Sequence, residues 1–249
     1  MNRNIKYYLA TLFLATSLQV FSQENKPLTE QQKADEMRNK MDWPNLKRYQ
    51  DENAKVGLPA PGENRVVFMG NSITEGWLRT DPEFFKGKPY IDRGISGQTT
   101  PQMLIRFKQD VVHLKPKIVI INAGINDIAG NTGLSTLEMI QDNLSSMCEI
   151  ARANNICVIL ASVIPAYDFP WRKGLEPAQK VVDLNKWIKE YAAKNNLIYL
   201  DYFSPMADER NGLKAELTYD GVHPNLAGYK VMEPLAEKAI AQALKKLKK

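Results

Sequence analysis

The sequence predicts an α/β fold in which a parallel sheet is covered by helices on both faces. Its 249 residues are 44% hydrophobic and 24% charged, a composition typical of a soluble globular chain of this length. The run Ile118-Val-Ile-Ile121 is continuously β-branched, which is typical of a strand buried on both faces. Strand patterns of this kind alternate with helical patterns of ten to twenty residues. That alternation indicates parallel strands joined by helices.

The first 22 residues have the pattern of a secretory signal peptide. Arg3 and Lys6 begin the segment, and a mostly apolar core from Tyr8 to Leu18 follows. The core is too short to span a bilayer comfortably, and the alternative of an uncleaved anchor stays open. We exclude residues 1–22 from the fold and expect a secreted or periplasmic protein without stable membrane insertion.

Residues 23–62 are predicted to form a helical arm and a linker. Thr29 and Gln32 have the spacing of a capping box, which predicts that a helix begins here. A second short helix is expected over residues 46–54, and the prolines and glycines of residues 56–62 indicate a linker. The arm has enough apolar residues to pack on the main domain, although dimerisation or covering of a site are alternatives. These residues are Met37, Met41, Trp43, Leu46 and Tyr49.

Residues 63–249 are predicted to form the main domain. Strands are predicted at residues 66–69, 89–93, 117–124, 156–162 and 197–200. Helices are predicted after residue 72 and at residues 101–114, 135–154, 177–195 and 225–249. Cys148 and Cys157 are expected to be two core thiols, with a disulfide between them as the open alternative.

Ser72 lies directly after the first predicted strand, in Gly70-Asn-Ser72. Open parallel sheets place their ligands at the carboxyl ends of the strands. A helix that follows would aim free backbone N–H groups towards this position. Ser72 is therefore a candidate nucleophile, and the alternative is a serine that caps a helix in an ordinary turn.

His223 is the candidate general base, since the chain has only two histidines. Asp220 precedes it by three residues and Gly221 allows the loop to turn, so the carboxylate can orient the imidazole. The alternative is an Asp-Gly turn in which His223 is incidental. The other histidine, His113, ends a predicted helix, where histidines usually face solvent or complement the helix dipole.

Four motifs occur in order along the chain, and together they resemble the SGNH/GDSL hydrolase family. They are Gly70-Asn-Ser72-Ile-Thr, Gly94-Ile-Ser-Gly97-Gln-Thr-Thr, Gly124-Ile-Asn126-Asp127 and Asp220-Gly-Val-His223-Pro. The resemblance covers residues 64–240, and four motifs in order are more specific than any one of them. It implies a flavodoxin-like three-layer α/β/α sandwich and the hydrolysis of acyl esters.

The resemblance also implies a role for each residue of the motifs. Ser72 would be the nucleophile, His223 the base and Asp220 its orienting acid. The backbone N–H groups of Ser72 and Gly97 and the side-chain amide of Asn126 would form the oxyanion hole. The family's first motif usually reads Gly-Asp-Ser, and here Asn71 replaces the aspartate with another turn-forming residue.

The substrate is less strongly indicated than the chemistry. Trp77 and Trp171 are possible substrate-binding residues, with packing roles as the alternatives. No metal or cofactor is expected, because no compact His/Cys cluster is present. The net charge of +5 includes four lysines at the C-terminus and no basic stripe with interleaved aromatics, so nucleic acid is not an expected partner.

Three functions fit the sequence. The first is a secreted carbohydrate O-acetylesterase, whose partner would be a small-molecule or glycan acyl ester. The second is a lipid-directed esterase, lysophospholipase or thioesterase. The third is a non-catalytic glycan-binding protein, which the complete Ser72, Asp220 and His223 set disfavours. The sequence does not predict an oligomeric state.

Overall fold

The computed structural model describes residues 29–248. The predicted signal peptide, residues 1–22, lies outside the described residues. Helix α1 (Glu30–Met41) begins in a first compact unit that ends at Met37. The second unit begins at Arg38 and contains all of the elements that follow.

Five strands of the second unit form one parallel sheet, which confirms the predicted fold class. The strands are β1 (Val66–Gly70), β2 (Tyr90–Gly94), β3 (Ile118–Ile121), β4 (Cys157–Ala161) and β5 (Ile198–Leu200). Their spatial order is β2-β1-β3-β4-β5, which is the flavodoxin-like order. Every residue of β1 and β3 is buried, so both faces of the sheet centre are covered.

Helices connect the strands and cover the sheet. They are α2 (Gln50–Val56), α3 (Ser72–Thr80), α4 (Thr100–Asp110), α5 (Ile125–Ile128), α6 (Leu137–Ala153), α7 (Pro177–Lys194), α8 (Phe203–Met206) and α9 (Leu226–Leu247). Short 3₁₀ helices occur at Pro82–Phe84, Val112–Leu114 and Ala215–Leu217. Within residues 29–248, no helix combines the length and apolar character needed to cross a membrane.

The segment between α1 and β1 is only partly as predicted. Tyr49 is buried, whereas Met41 is 80% exposed and does not pack as expected. The second helix begins at Gln50 rather than at residue 46, because a turn centred on Asn45 precedes it. Asn45 has a φ of 57°, in the left-handed region where asparagine is tolerated.

Trp77 is a core residue, and the prediction that it contacts substrate is wrong. It is 2% exposed, and its ring stacks on Phe84 and Tyr229 at centroid distances of 4.6 and 5.5 Å. Ile73 lies one helical turn earlier and is equally buried, so α3 presents this face to the sheet. The amphipathic spacing of α3 therefore explains Trp77 without any ligand.

The two cysteines are unbridged in the structure. Cys148 on α6 is buried and Cys157 at the start of β4 is half-buried. Burial raises the pKa of the Cys148 thiol to about 12, which keeps it protonated and unreactive. The expectation of a core thiol is confirmed for Cys148, whereas Cys157 is only partly buried and packs against the core.

Candidate active site

Three of the predicted site residues follow neighbouring strands at one edge of the sheet. Ser72 follows β1, Gly97 follows β2 and Asn126 follows β3, and β1 is hydrogen-bonded to both of the other strands. In the parallel register Gly70 lies opposite Gly94, so β1 and β2 end at the same level. The carboxyl ends of parallel strands thus bring the three motifs to one place.

Asn71 begins the helix that carries Ser72. Its side chain accepts a hydrogen bond from the N–H of Ile73 at 3.3 Å, and its carbonyl accepts one from Glu75 at 2.9 Å. Asn71 is therefore the N-cap of α3 and Ser72 is the first helical residue, not the cap. In the described part of the chain, the N–H of Ser72 has no acceptor, as expected for a first helical turn.

The end of β2 approaches this helix start very closely. A Cβ atom on Gly94 would lie 2.1 Å from the backbone nitrogen of Glu75 and 2.7 Å from the carbonyl oxygen of Asn71. Only glycine fits at this position without moving the backbone. This close approach brings the loop between β2 and α4, which we call the Gly97 loop, beside the turn that contains Ser72.

Ser72, His223 and Asp220 form a continuous hydrogen-bonded chain. Oγ of Ser72 lies 3.0 Å from Nε2 of His223, although the two residues are 151 positions apart. Nδ1 of His223 lies 2.7 Å from Oδ2 of Asp220. A carboxylate can only accept, so Nδ1 carries the proton and Nε2 is the acceptor that faces the serine hydroxyl. This is the arrangement of nucleophile, base and orienting acid in a serine hydrolase.

The loop of residues 218–223 holds the carboxylate and the imidazole together. Oδ1 of Asp220 accepts the N–H groups of Val222 and His223 at 2.9 and 2.7 Å. The hydroxyl of Thr218 donates to the carbonyl of His223 at 2.7 Å and accepts the N–H of Gly221 at 2.9 Å. Burial alone would raise the pKa of Asp220, but the hydrogen bonds from His223 and Val222 outweigh it and hold this pKa below its ordinary value.

Gly97 and Asn126 each keep a donor hydrogen that has no acceptor among the described residues. Gly97 has a φ of +77°, a conformation that glycine adopts at little cost, and it is exposed. Its N–H has no acceptor among the described residues. Asn126 is 3% exposed and donates one amide hydrogen to the carbonyl of Gln98 at 2.9 Å. An amide has two donor hydrogens, so Asn126 retains one for a ligand.

Arg106, which the sequence analysis did not identify, ties two of these loops together. Its guanidinium is completely buried and donates to the carbonyl of Gly70 at 2.9 Å and to the side chain of Gln98 at 2.5 Å. A third contact, to Asp110 at 3.0 Å, balances its charge. Arg106 therefore fixes the end of β1 relative to the Gly97 loop. An arginine within an amphipathic helix gives no sequence signal for such a contact.

Asp127 anchors the start of α4 to α5. Its carboxylate accepts the N–H of Thr100 at 3.0 Å and the hydroxyl of the same residue at 2.6 Å. Burial raises the pKa of Asp127 to about 6, despite the hydrogen bonds that favour its ionised form. Asp127, which directly follows Asn126, thus has a structural role: it ties the helix that carries Asn126 to the start of α4.

Two aromatic rings lie against the imidazole of His223. Trp171 has its ring centroid 5.8 Å from that of His223 and is 47% exposed, and its role in substrate binding stays a prediction. Tyr219 stacks on the same imidazole at 5.7 Å with an interplanar angle of 9°. No local sequence pattern indicates Tyr219, because an aromatic residue in a loop has no periodic signal.

A cavity of about 420 Å³ adjoins the Gly97 loop, and we call it the tryptophan cavity. Ile95 is the one aliphatic residue among the described residues that line the cavity. The lining also includes two exposed tryptophans, Trp43 and Trp171. Its size falls within the range of small-ligand sites. The lining residues are Trp43, Asn45, Ile95, Ser96, Gly97, Gln98, Gln102, Gly130, Asn131, Thr132, Trp171 and Arg172.

The described geometry has counterparts in known proteins. The model of the GDSL-like lipase/acylhydrolase family matches residues 68–231, which include all four motifs. The structure of a GDSL-like lipase from Bacteroides thetaiotaomicron is similar, with 50% sequence identity and a TM-score of 0.79. That similarity covers 81% of this chain and 100% of the lipase chain.

More distant relatives have described activities. Esterase TesA of Pseudomonas aeruginosa is 26% identical over 67% of this chain and 78% of its own length. An acetylxylan esterase of Geobacillus stearothermophilus is 22% identical over 57% of this chain and 67% of its own length.

Proposed function

The chain belongs to the GDSL-like lipase/acylhydrolase family and hydrolyses ester bonds, and from this premise we propose that it is an exported carbohydrate O-acetylesterase with Ser72 as its nucleophile. The observation that carries the catalytic assignment is the chain of contacts from Ser72 Oγ to His223 Nε2 at 3.0 Å and from His223 Nδ1 to Asp220 Oδ2 at 2.7 Å. The substrate assignment depends on the polar and aromatic lining of the tryptophan cavity.

In the first half of the reaction, Nε2 of His223 accepts the proton of Ser72 as Oγ attacks the carbonyl carbon of the ester. The electron pair of the carbonyl moves to its oxygen and forms a tetrahedral oxyanion. Asp220, which stays ionised, accepts the Nδ1 hydrogen and stabilises the imidazolium. The imidazolium then returns its proton to the leaving alcohol, and an acyl-serine remains.

The second half repeats these steps with water as the nucleophile. His223 deprotonates the water, which attacks the acyl carbon, and the proton passes to Oγ as the carboxylic acid leaves. In both halves the oxyanion would accept hydrogen bonds from the N–H groups of Ser72 and Gly97 and from the amide of Asn126. Loss of one such donor typically costs about 100- to 1,000-fold in rate.

The lining of the tryptophan cavity supports a carbohydrate rather than a lipid. A long acyl chain would need aliphatic walls, whereas Ile95 is the one aliphatic residue among the described lining residues. Indole rings and side-chain amides are suited to the mixed apolar and hydroxyl surface of a sugar. The signal-peptide pattern of residues 1–22 supports an extracellular glycan, and the acetylxylan esterase relative supports an acetyl group.

Acetate release from a panel of acetylated polysaccharides, with acetylated xylan included, tests this proposal. We expect release by the wild-type enzyme and none by Ser72→Ala. Aryl acetate and aryl octanoate measured in parallel separate this function from a lipid-directed esterase or thioesterase. An enzyme that prefers the octanoate and releases no acetate from any glycan would contradict the proposed substrate class.

A further inference from the structure

A turn of the N-terminal segment, residues 42–47, forms part of the tryptophan cavity. Trp43 and Asn45 line the cavity, and Trp43 is 38% exposed. The carboxylate of Asp42 accepts the N–H of Leu46 at 2.8 Å and that of Lys47 at 3.0 Å. Both hydrogen bonds join residues within the turn and stabilise its conformation. We refer to residues 42–47 as the Trp43 turn.

Glutamine side chains fix this turn to the main domain. Gln98 donates to the carbonyl of Pro44 and Gln102 donates to the carbonyl of Trp43, both at 2.7 Å. Gln109 donates in the same way to Leu46. All three contacts are made to backbone carbonyls, so they set the position of the turn whatever side chain occupies residue 43.

One of these glutamines also contacts the candidate oxyanion hole. The carbonyl of Gln98 accepts an amide hydrogen of Asn126 at 2.9 Å. The side-chain oxygen of Gln98 accepts the Nε hydrogen of Arg106 at 2.5 Å. Gln98 directly follows Gly97 in the chain. The Trp43 turn is therefore held by the loop that would bind the oxyanion.

A second set of lining residues comes from the loop that carries Trp171. Arg172 donates through Nη1 to the carbonyls of Ala129 and Gly130 at 2.7 and 2.8 Å, which holds this loop against the α5 region. A guanidinium has five N–H donors, so others are left for a ligand. The cavity thus combines two exposed indoles with amide and guanidinium donors, which are suited to pyranose rings and their hydroxyls.

We propose that the Trp43 turn is a subsite for a sugar unit adjacent to the acetylated one, so that the enzyme prefers acetylated oligosaccharides over isolated small esters. This inference rests on the proposed function. The contact lies away from the reacting atoms and binds the substrate in both ground and transition states. Its loss should therefore raise KM for an oligosaccharide more than it lowers kcat.

The test compares Trp43→Ala with the wild type on an aryl acetate and on partially acetylated oligosaccharides of xylose and of glucose. We expect the loss in kcat/KM on the oligosaccharide to exceed that on the aryl ester at least tenfold, with most of it in KM. Trp43→Phe retains a ring and should recover most of the loss. Leu58→Ala, which removes a 71% exposed side chain from the same segment, is the matched control and should behave as the wild type.

Each other outcome has a separate meaning. If Trp43→Ala and the wild type discriminate equally between oligosaccharide and aryl ester, the subsite is overturned while the O-acetylesterase function stands. If Trp43→Ala loses mainly aryl octanoate hydrolysis, the turn binds an acyl chain and the proposal is wrong. A wild-type enzyme that cleaves aryl acetate but no acetylated glycan overturns both proposals. Thermal unfolding of Trp43→Ala confirms that any loss occurs in a folded protein.

Discussion

Nδ1 of His223 lies 2.7 Å from Oδ2 of Asp220, and the second oxygen of the same carboxylate accepts the backbone N–H of His223 at 2.7 Å. One carboxylate thus holds both the ring and the backbone of the histidine. The loop itself therefore contributes to the placement of the imidazole.

This double contact predicts a graded effect of Asp220→Asn. The amide oxygen of asparagine can still accept a backbone N–H, so the loop should persist, whereas the charge that stabilises the imidazolium is lost. We expect kcat to fall by less than the roughly 10,000-fold seen for the corresponding change in a chymotrypsin-type triad. Steady-state hydrolysis of an aryl acetate measures this fall in kcat. The activity of His223→Ala, which removes the base, should fall to that of Ser72→Ala. An unimpaired Asp220→Asn enzyme would rule out Asp220 as the partner of His223.

The buried Asp92 predicts a pH-dependent contribution to stability. Burial raises its pKa to about 7, above the unfolded value of about 3.9. Between these values the folded chain holds a proton that the unfolded chain releases, so the free energy of unfolding decreases as pH rises through this window.

Asp92→Asn should remove this decrease. Its amide oxygen can still accept the N–H of Gly94, as Oδ1 of Asp92 does at 2.7 Å. We therefore expect the melting temperature of Asp92→Asn to fall less between pH 5 and pH 8 than that of the wild type. Asp51→Asn, at an exposed position on α2, is the control and should follow the wild type. Equal falls in all three proteins would contradict this prediction.

Arg106 should be essential for stability. Arg106→Met leaves the carbonyl of Gly70 and the carboxylate of Asp110 without their buried partner. Breaking a buried ion pair in this way typically costs about 3–5 kcal/mol. Denaturant unfolding should show this loss for Arg106→Met and almost none for Lys108→Met, which alters an exposed cation on the same helix. Similar stability of the two variants would show that the buried contacts of Arg106 contribute little.

Trp77 and Trp171 should respond in opposite ways to truncation. Trp77→Ala opens a cavity in the aromatic core and should lower the free energy of unfolding by about 3–5 kcal/mol. Trp171→Ala removes a ring that is 47% exposed, so it should change stability little and raise KM for an acetylated oligosaccharide. Calorimetry and steady-state kinetics on the two variants check this contrast, which a strongly destabilised Trp171→Ala protein would contradict.

The sequence predicts the sheet well because buried parallel strands have a strong local signal. The β-branched run of β3 and the apolar run before Gly70 both predict strands that the structure contains, and the loops that follow them are predicted as well. The same local signals cannot tell whether a tryptophan faces the core or a cavity, so the sequence leaves both roles open for Trp77, which the structure places in the core.

Tertiary contacts explain most of what the sequence analysis missed. Arg106 reaches Gly70 across 36 positions, and Gln102 reaches Trp43 across 59 positions. Neither contact has a periodic pattern, and both depend on how α4 packs beside the strands. The arm was expected to pack on the domain, but its contribution to a cavity became evident only from these hydrogen bonds.

The most direct test of the central claim is the covalent state of Ser72 during turnover. Enzyme quenched while it hydrolyses an aryl acetate should yield, on peptide mass spectrometry, one acetyl group on the peptide that contains Ser72. Ser72→Ala should carry no acetyl group and show only background hydrolysis at an unchanged melting temperature. An acetyl group on a different residue, or full activity in folded Ser72→Ala, would contradict Ser72 as the nucleophile.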